Sequence, residues 1–110
     1  MPKPLTPAVF HILVALADGD LHGYAIMKRV ETDSDGALTM GPGTLYGALN
    51  RMMDAGLVRE TGVQDVADQR RIHYTLTDAG RVALSVEVAR LRQAVALTRS
   101  IPARTVPRAT

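Results

Sequence analysis

The chain has 110 residues, enough for one small domain with a short appendage. Hydrophobic residues make up 46% and charged residues 22%, a globular balance, and the lack of Cys excludes a disulfide scaffold, a thiol nucleophile and cysteine-ligated zinc or iron–sulfur sites. Net charge is +2, but Lys3, Arg99, Arg104 and Arg108 lie in the end segments, and without them acidic residues outnumber basic ones by two, so only the placement of charges can nominate nucleic acid as a partner.

A first helix is expected from about Thr6 to Ala17. Thr6 followed by Pro7 reads as an N-cap with proline at the first helical position, where its missing N–H costs nothing. Val9, Ile12, Leu13 and Leu16 recur at helical spacing, widened by Phe10 and Val14. Asp18-Gly19-Asp20 breaks this helix. A second begins near Leu21 or His22 and runs to about Thr32, with Tyr24, Met27 and Val30 in one row and Ile26 beside them. Asp33-Ser34-Asp35-Gly36 is a turn cluster. Gly41-Pro42-Gly43-Thr44 opens a third helix whose apolar face is Leu45, Leu49, Met52 and Met53, and Gly56 stops it.

A short strand is expected over Leu57 to Thr61, then a loop from Gly62 to Arg70 that contains Asp65 and Asp68. In the returning strand Ile72, Tyr74 and Leu76 alternate with Arg71, His73 and Thr75, the pattern of a half-buried strand with the first three facing inward. Thr77-Asp78 caps a last helix that continues to about Arg99, roughly 33 Å at 1.5 Å per residue. Ile101 to Thr110 holds little to bury and is expected to be frayed. The fold class is therefore mainly α with a small β-hairpin: a winged helix-turn-helix plus a long C-terminal dimerisation helix. The expected division is residues 1–77 for a winged-helix DNA-binding domain, 78–99 for the dimerisation helix and 100–110 for a flexible tail.

A helix-turn-helix reads DNA with one helix in the major groove while neighbouring N–H groups and basic side chains hold phosphates. On the third helix the exposed face is expected to carry Gly43, Thr44, Gly47, Ala48, Asn50 and Arg51. Its small residues allow close approach, its N-terminus suits a phosphate, and Asn50 and Arg51 can bond base edges or backbone oxygens. Tyr46 fits either a core position or one with its hydroxyl at a phosphate. The same features also fit a plain surface helix. Arg70 and Arg71, where the wing meets its returning strand, can track the backbone or enter a minor groove. A solvated turn with self-compensating charges is the alternative, given Asp65 and Asp68 in the same loop.

Leu84, Val88, Leu91, Val95 and Thr98 follow the spacing of a helix-pair seam. A helix this long outruns a core built by three short ones, so its uncovered face points to a homodimer, the alternative being a fold back onto the first helix. His11, His22 and His73 have no metal-ligand spacing and read as cap, core-edge or surface residues. The serines have no nucleophile-elbow context and the glycines make no P-loop, so neither an enzyme nor a cofactor is expected. The apolar run Ala8 to Ala17 is far short of the ~20 residues a spanning helix needs, and with no leader pattern the expectation is a cytoplasmic protein without a membrane partner.

Four motifs in order carry a resemblance: His22-Gly23-Tyr24, Pro42-Gly43-Thr44-Leu45-Tyr46 with Leu49, Gly56-Leu57-Val58, and Tyr74-Thr75-Leu76-Thr77-Asp78-Ala79-Gly80. Over roughly residues 5 to 99 the chain resembles the PadR-like transcriptional regulators, in particular the smaller subfamily with a single C-terminal helix. The resemblance implies a winged-helix DNA-binding domain, a dimer made through the C-terminal helix, and regulation, usually repression, through a palindromic operator. It also places Tyr46 near the DNA backbone and Thr44 and Arg51 at exposed recognition positions. Some family members bind flat aromatic drugs between tryptophans at the dimer interface; this chain has no Trp and one Phe, so that mode is not implied. A small-molecule effector stays open. The rival readings are a winged-helix protein-interaction module without DNA binding, which the acidic balance favours, and a ligand sensor with DNA release as its readout.

Overall fold

The computed structural model describes residues 3–66 and 69–102. The elements run α1 (Pro7–Ala17), β1 (Leu21–His22), α2 (Gly23–Asp33), α3 (Pro42–Asp54), β2 (Val58–Val66), β3 (Gln69–Leu76) and α4 (Asp78–Ala96), the last prolonged by a 3₁₀ turn over Leu97–Ser100. Thr6 caps α1 through its hydroxyl, which accepts from the Val9 N–H, and Thr77 caps α4 by accepting from Gly80 N–H at 3.0 Å. Each such cap contributes about 1 kcal/mol. Gly56, at φ +77, provides the left-handed residue on which α3 ends.

Ile12, Leu13 and Leu16 of α1, Ile26 and Val30 of α2 and Leu45, Leu49 and Met52 of α3 form one core, closed from the sheet side by Val58, Tyr74 and Leu76. Burial of each large aliphatic side chain contributes about 1.5–3 kcal/mol. Leu84 brings α4 onto this core. Its attachment continues in Glu87, whose carboxylate is buried, accepts from the Leu5 N–H at 3.3 Å and pairs with Arg90. α4 thus packs along α1 through Leu84 and Glu87, and farther on Leu91 and Val95 line a groove with Phe10 of α1.

The sheet is antiparallel with order β1-β3-β2. Leu21↔Tyr74 and His22↔His73 tie α2's N-terminus to the wing, a pairing the sequence analysis did not anticipate. The expected loop from Gly62 to Arg70 is largely strand: β2 and β3 pair out to Val66↔Gln69, with a register shift between Glu60 and Gly62. Gly62, at φ +150, takes the irregular conformation at that shift. Residues 67–68, which include Asp68, and residues 103–110 of the expected tail lie outside the described residues.

Three face assignments change. Ala48 is buried at 3% exposure, because it stands one turn from Leu45 and Met52 on the core side of α3. Tyr24 and Ile72 face outward, since the core ends at Tyr74 and Ile26 and leaves nothing for them to cover.

Candidate nucleic-acid interface

α3 begins at Gly41 without a side-chain cap, so the positive end of its dipole and the amides of Gly43 and Thr44 face outward on exposed residues. Asn50 and Arg51 are exposed farther along, and a Cβ built on Gly47 would stand 3.5 Å from Arg51 Nη1, so the guanidinium folds back over the glycine. Gly43, Thr44, Gly47, Asn50 and Arg51 therefore share an outward stripe, while Ala48 belongs to the opposite face.

Tyr46 is half-exposed and not a core residue. Its phenol lies over Gly23, where an added Cβ would stand 2.8 Å from Tyr46 Cζ. That contact joins α3 to the N-terminus of α2 and forms one wall of a cleft of about 490 Å³. Across from it stand Arg70 and Arg71, on the outer part of β3 near the end of the hairpin, and Tyr74 also lines the cleft. The structure thus brings Tyr46 together with both wing arginines. Gly43, Thr44, Asn50 and Arg51 lie outside this cleft, on α3's own stripe.

Arg71 reaches over the Tyr24 ring, 5.4 Å from its centroid, and its Nη1 lies 3.3 Å from His22 Nδ1. Lys28 Nζ sits 5.5 Å from the same ring centroid. His22 caps α2, with Nδ1 accepting from Ala25 N–H at 3.2 Å. Burial, then the Arg71 guanidinium and His73, push the His22 pKa below its ordinary value. Burial, then Tyr46 and Glu60, push Tyr74 up and keep its phenol protonated. His22 and Tyr24 are cleft residues that sequence reasoning did not single out for the site, although His22-Gly23-Tyr24 was present as a motif.

On α4 the four seam residues divide. Leu84 and Val88 are half-buried, Leu84 against the core, whereas Leu91 and Val95 are 36% and 68% exposed. Leu91 and Val95 line an apolar groove of about 440 Å³ together with Phe10 and Ala96. A second exposed pair, Val82 and Val86, lines another of about 380 Å³ with Leu5. A third cleft, of about 460 Å³, has Leu76, Leu84 and Val88 in its lining with Arg81, Ser85 and Arg92. Among the described residues no cluster of His, Cys, Asp or Glu could hold a metal ion, and no helix is long and apolar enough to cross a membrane.

The profile of the transcriptional regulator PadR-like family matches residues 12–86. An uncharacterized 37.1 kDa protein in transposon Tn4556 of Streptomyces fradiae is 47% identical over 76 residues, which cover 69% of this chain and 20% of that protein. The chain thus spans about a fifth of the length of this curated relative. The crystal structure of a PadR family transcription regulator from Clostridium difficile R20291 is similar in fold, with TM-score 0.72 at 24% identity, covering 84% of this chain and 95% of that one. Bacillus subtilis PadR in complex with operator DNA superposes with TM-score 0.68 at 18% identity, covering 93% of this chain and 62% of that one. The three-helix unit with its β-hairpin and the matched profile agree: this chain is a winged-helix member of the PadR-like family of transcriptional regulators.

Proposed function

We propose that this chain binds double-stranded DNA and represses transcription as a homodimer on a palindromic operator, working in the cytoplasm. The observation that carries the reading is the cleft in which Tyr46 of α3, the N-terminus of α2 and the wing arginines Arg70 and Arg71 meet. A phosphate there is met by helix amides, a phenol and two guanidinium groups. With the backbone held so, α3 enters the major groove, and Gly43 and Thr44 approach while Asn50 and Arg51 bond base edges. The operator complex of the Bacillus subtilis relative supports this use of the fold.

Residues 1–77 form the DNA-binding unit and residues 78–99 the dimerisation helix, with Leu84, Val88, Leu91 and Val95 as its seam. The exposure of Leu91 and Val95 supports a second copy as their cover. Two α3 helices then enter successive major grooves about 34 Å apart. A small-molecule effector releases the DNA; the cleft with Arg81, Ser85 and Arg92 beside apolar residues of α4 supports one.

Retardation of a duplex carrying the promoter of the chain's own gene, at low and at moderate salt, tests the reading. A shift that weakens with salt is expected. No shift at either salt leaves the protein-interaction module, which the acidic balance of residues away from the termini favours.

A further inference from the structure

Two donors converge on one nitrogen where β1 pairs with β3. Ala25 N–H donates to His22 Nδ1 at 3.2 Å, and Arg71 Nη1 lies 3.3 Å from the same atom. An imidazole nitrogen offers one lone pair, so Nδ1 is unprotonated and the ring proton is on Nε2. His73 is fixed the other way: its Nδ1 lies 3.3 Å from the Arg71 carbonyl oxygen, which can only accept, so this Nδ1 carries the proton. The two rings meet edge to face with centroids 5.4 Å apart.

The groups around His22 are mostly cations and phenols. α2 contributes Tyr24, stacked at 6.5 Å between centroids, with Lys28 over the same ring. β3 contributes Arg70, Arg71, His73 and Tyr74, and α3 contributes Tyr46. The acids of β2 that stand opposite these groups in the pairing, among the described residues, are Glu60, across from Tyr74, and Asp65, across from Arg70. In this setting an additional positive charge on His22 is opposed, and the ring stays neutral.

An anion in the cleft reverses the balance. A phosphodiester oxygen accepts from a helix N-terminal amide and attracts a guanidinium more strongly than a neutral imidazole does. It takes over from Nδ1 as acceptor for Ala25 N–H and for Arg71. The lone pair on Nδ1 is then free to bind a proton from solvent, and the imidazolium gains a counter-charge. Resting on the DNA-binding reading above, we propose that His22 is itself part of the nucleic-acid interface and takes up one proton when a backbone phosphate occupies the cleft.

The sign follows from linkage. Without DNA the group titrates below its ordinary value, and the phosphate raises it, so between the two values binding draws in a proton. Affinity is level at mildly alkaline pH and climbs as pH falls through the histidine range.

Fluorescence anisotropy of the full chain with a labelled mixed-sequence duplex, at constant ionic strength, tests this. Between about pH 7.5 and pH 5.5 the wild-type chain should gain about five- to tenfold in affinity. Its dependence of log K on log salt should steepen by about 0.9, one added phosphate contact. His22→Asn keeps a good N-cap and does not titrate, so the fold persists while the gain falls below about twofold. His73→Asn should keep most of the gain. A wild-type affinity flat in pH overturns the proposal, and so does a His22→Asn chain that keeps the gain, or its loss in His73→Asn alone. Absence of duplex binding at every pH instead removes the DNA-binding reading on which it rests.

Discussion

The phenol of Tyr46 rests on the Cα of Gly23, so a side chain at the first residue of α2 would displace a residue of α3. A Cβ there would stand 2.8 Å from Tyr46 Cζ and 3.1 Å from Cε1, the far end of a side chain that can swing away. Gly23→Ala should therefore leave unfolding stability within about 1 kcal/mol of wild type, the gain in helix propensity offsetting the repacking. Duplex affinity should fall about fivefold, the loss of one hydrogen bond to phosphate. Chemical denaturation and anisotropy on the same sample separate the two effects.

The wing arginines make a different prediction. If Arg70 and Arg71 each hold a phosphate, replacing both by Ala weakens every duplex by a similar factor and lowers the salt slope by about 2. Titrations against two unrelated duplexes at several salt concentrations give both numbers. Unchanged affinity and slope would remove the wing from the interface.

Position along α4 decides what a substitution there does. Leu91 and Val95 are exposed in the single chain, so Leu91→Asp with Val95→Asp should keep the fold while analytical ultracentrifugation shows the monomer. Leu84 packs on the core, and Leu84→Ala should lower unfolding stability by about 2 kcal/mol. A double aspartate variant that sediments like wild type would place the pairing surface elsewhere.

Glu87 sets a pH dependence of stability. Its bond to Arg90 holds the carboxyl below the ordinary glutamate range, with help from Leu5 N–H and against the opposing push of burial. A carboxyl depressed by folding contributes stability that is present above its unfolded value and lost as pH falls through the folded one. Glu87→Gln should therefore melt at a lower temperature than wild type near neutrality. The difference should shrink as pH drops below about 4.3, the ordinary glutamate value. Thermal melts across that range check it, and a gap independent of pH would count against the ion pair.

What was legible in the sequence was local. Thr6, Thr77 and Gly56 mark helix ends through bonds to residues three or four away, and the apolar rows of α1 and α3 follow from helical period. β1 was not legible, because its two residues are strand only through pairing with His73 and Tyr74, far along the chain. Nor was the reach of the wing: Gly62, Gln64 and Asp65 have loop composition, yet backbone pairing with β3 holds them in a strand. At the candidate site, Tyr46 and the two arginines line one cleft, Ala48 lies on the core side and not on the exposed face expected of it, and His22, read as a cap, core-edge or surface residue, caps α2. The contact of its Nδ1 with Arg71 comes from β3, far along the chain, which no local spacing encodes.

Thr77 also does more than begin a helix. Its hydroxyl accepts from Gly80 and donates to the Gly56 carbonyl, and its N–H donates to Leu57 O at 3.1 Å. Gly80 lies so close that an added Cβ would stand 3.1 Å from the Leu57 carbonyl carbon. The end of α3 and the start of α4 are thus joined through hydrogen bonds of Thr77 to Gly56 and Leu57. In the dimer proposed above, the angle at which the two α4 helices cross would, through that joint, fix the distance between the two α3 helices and with it the spacing of half-sites along the duplex.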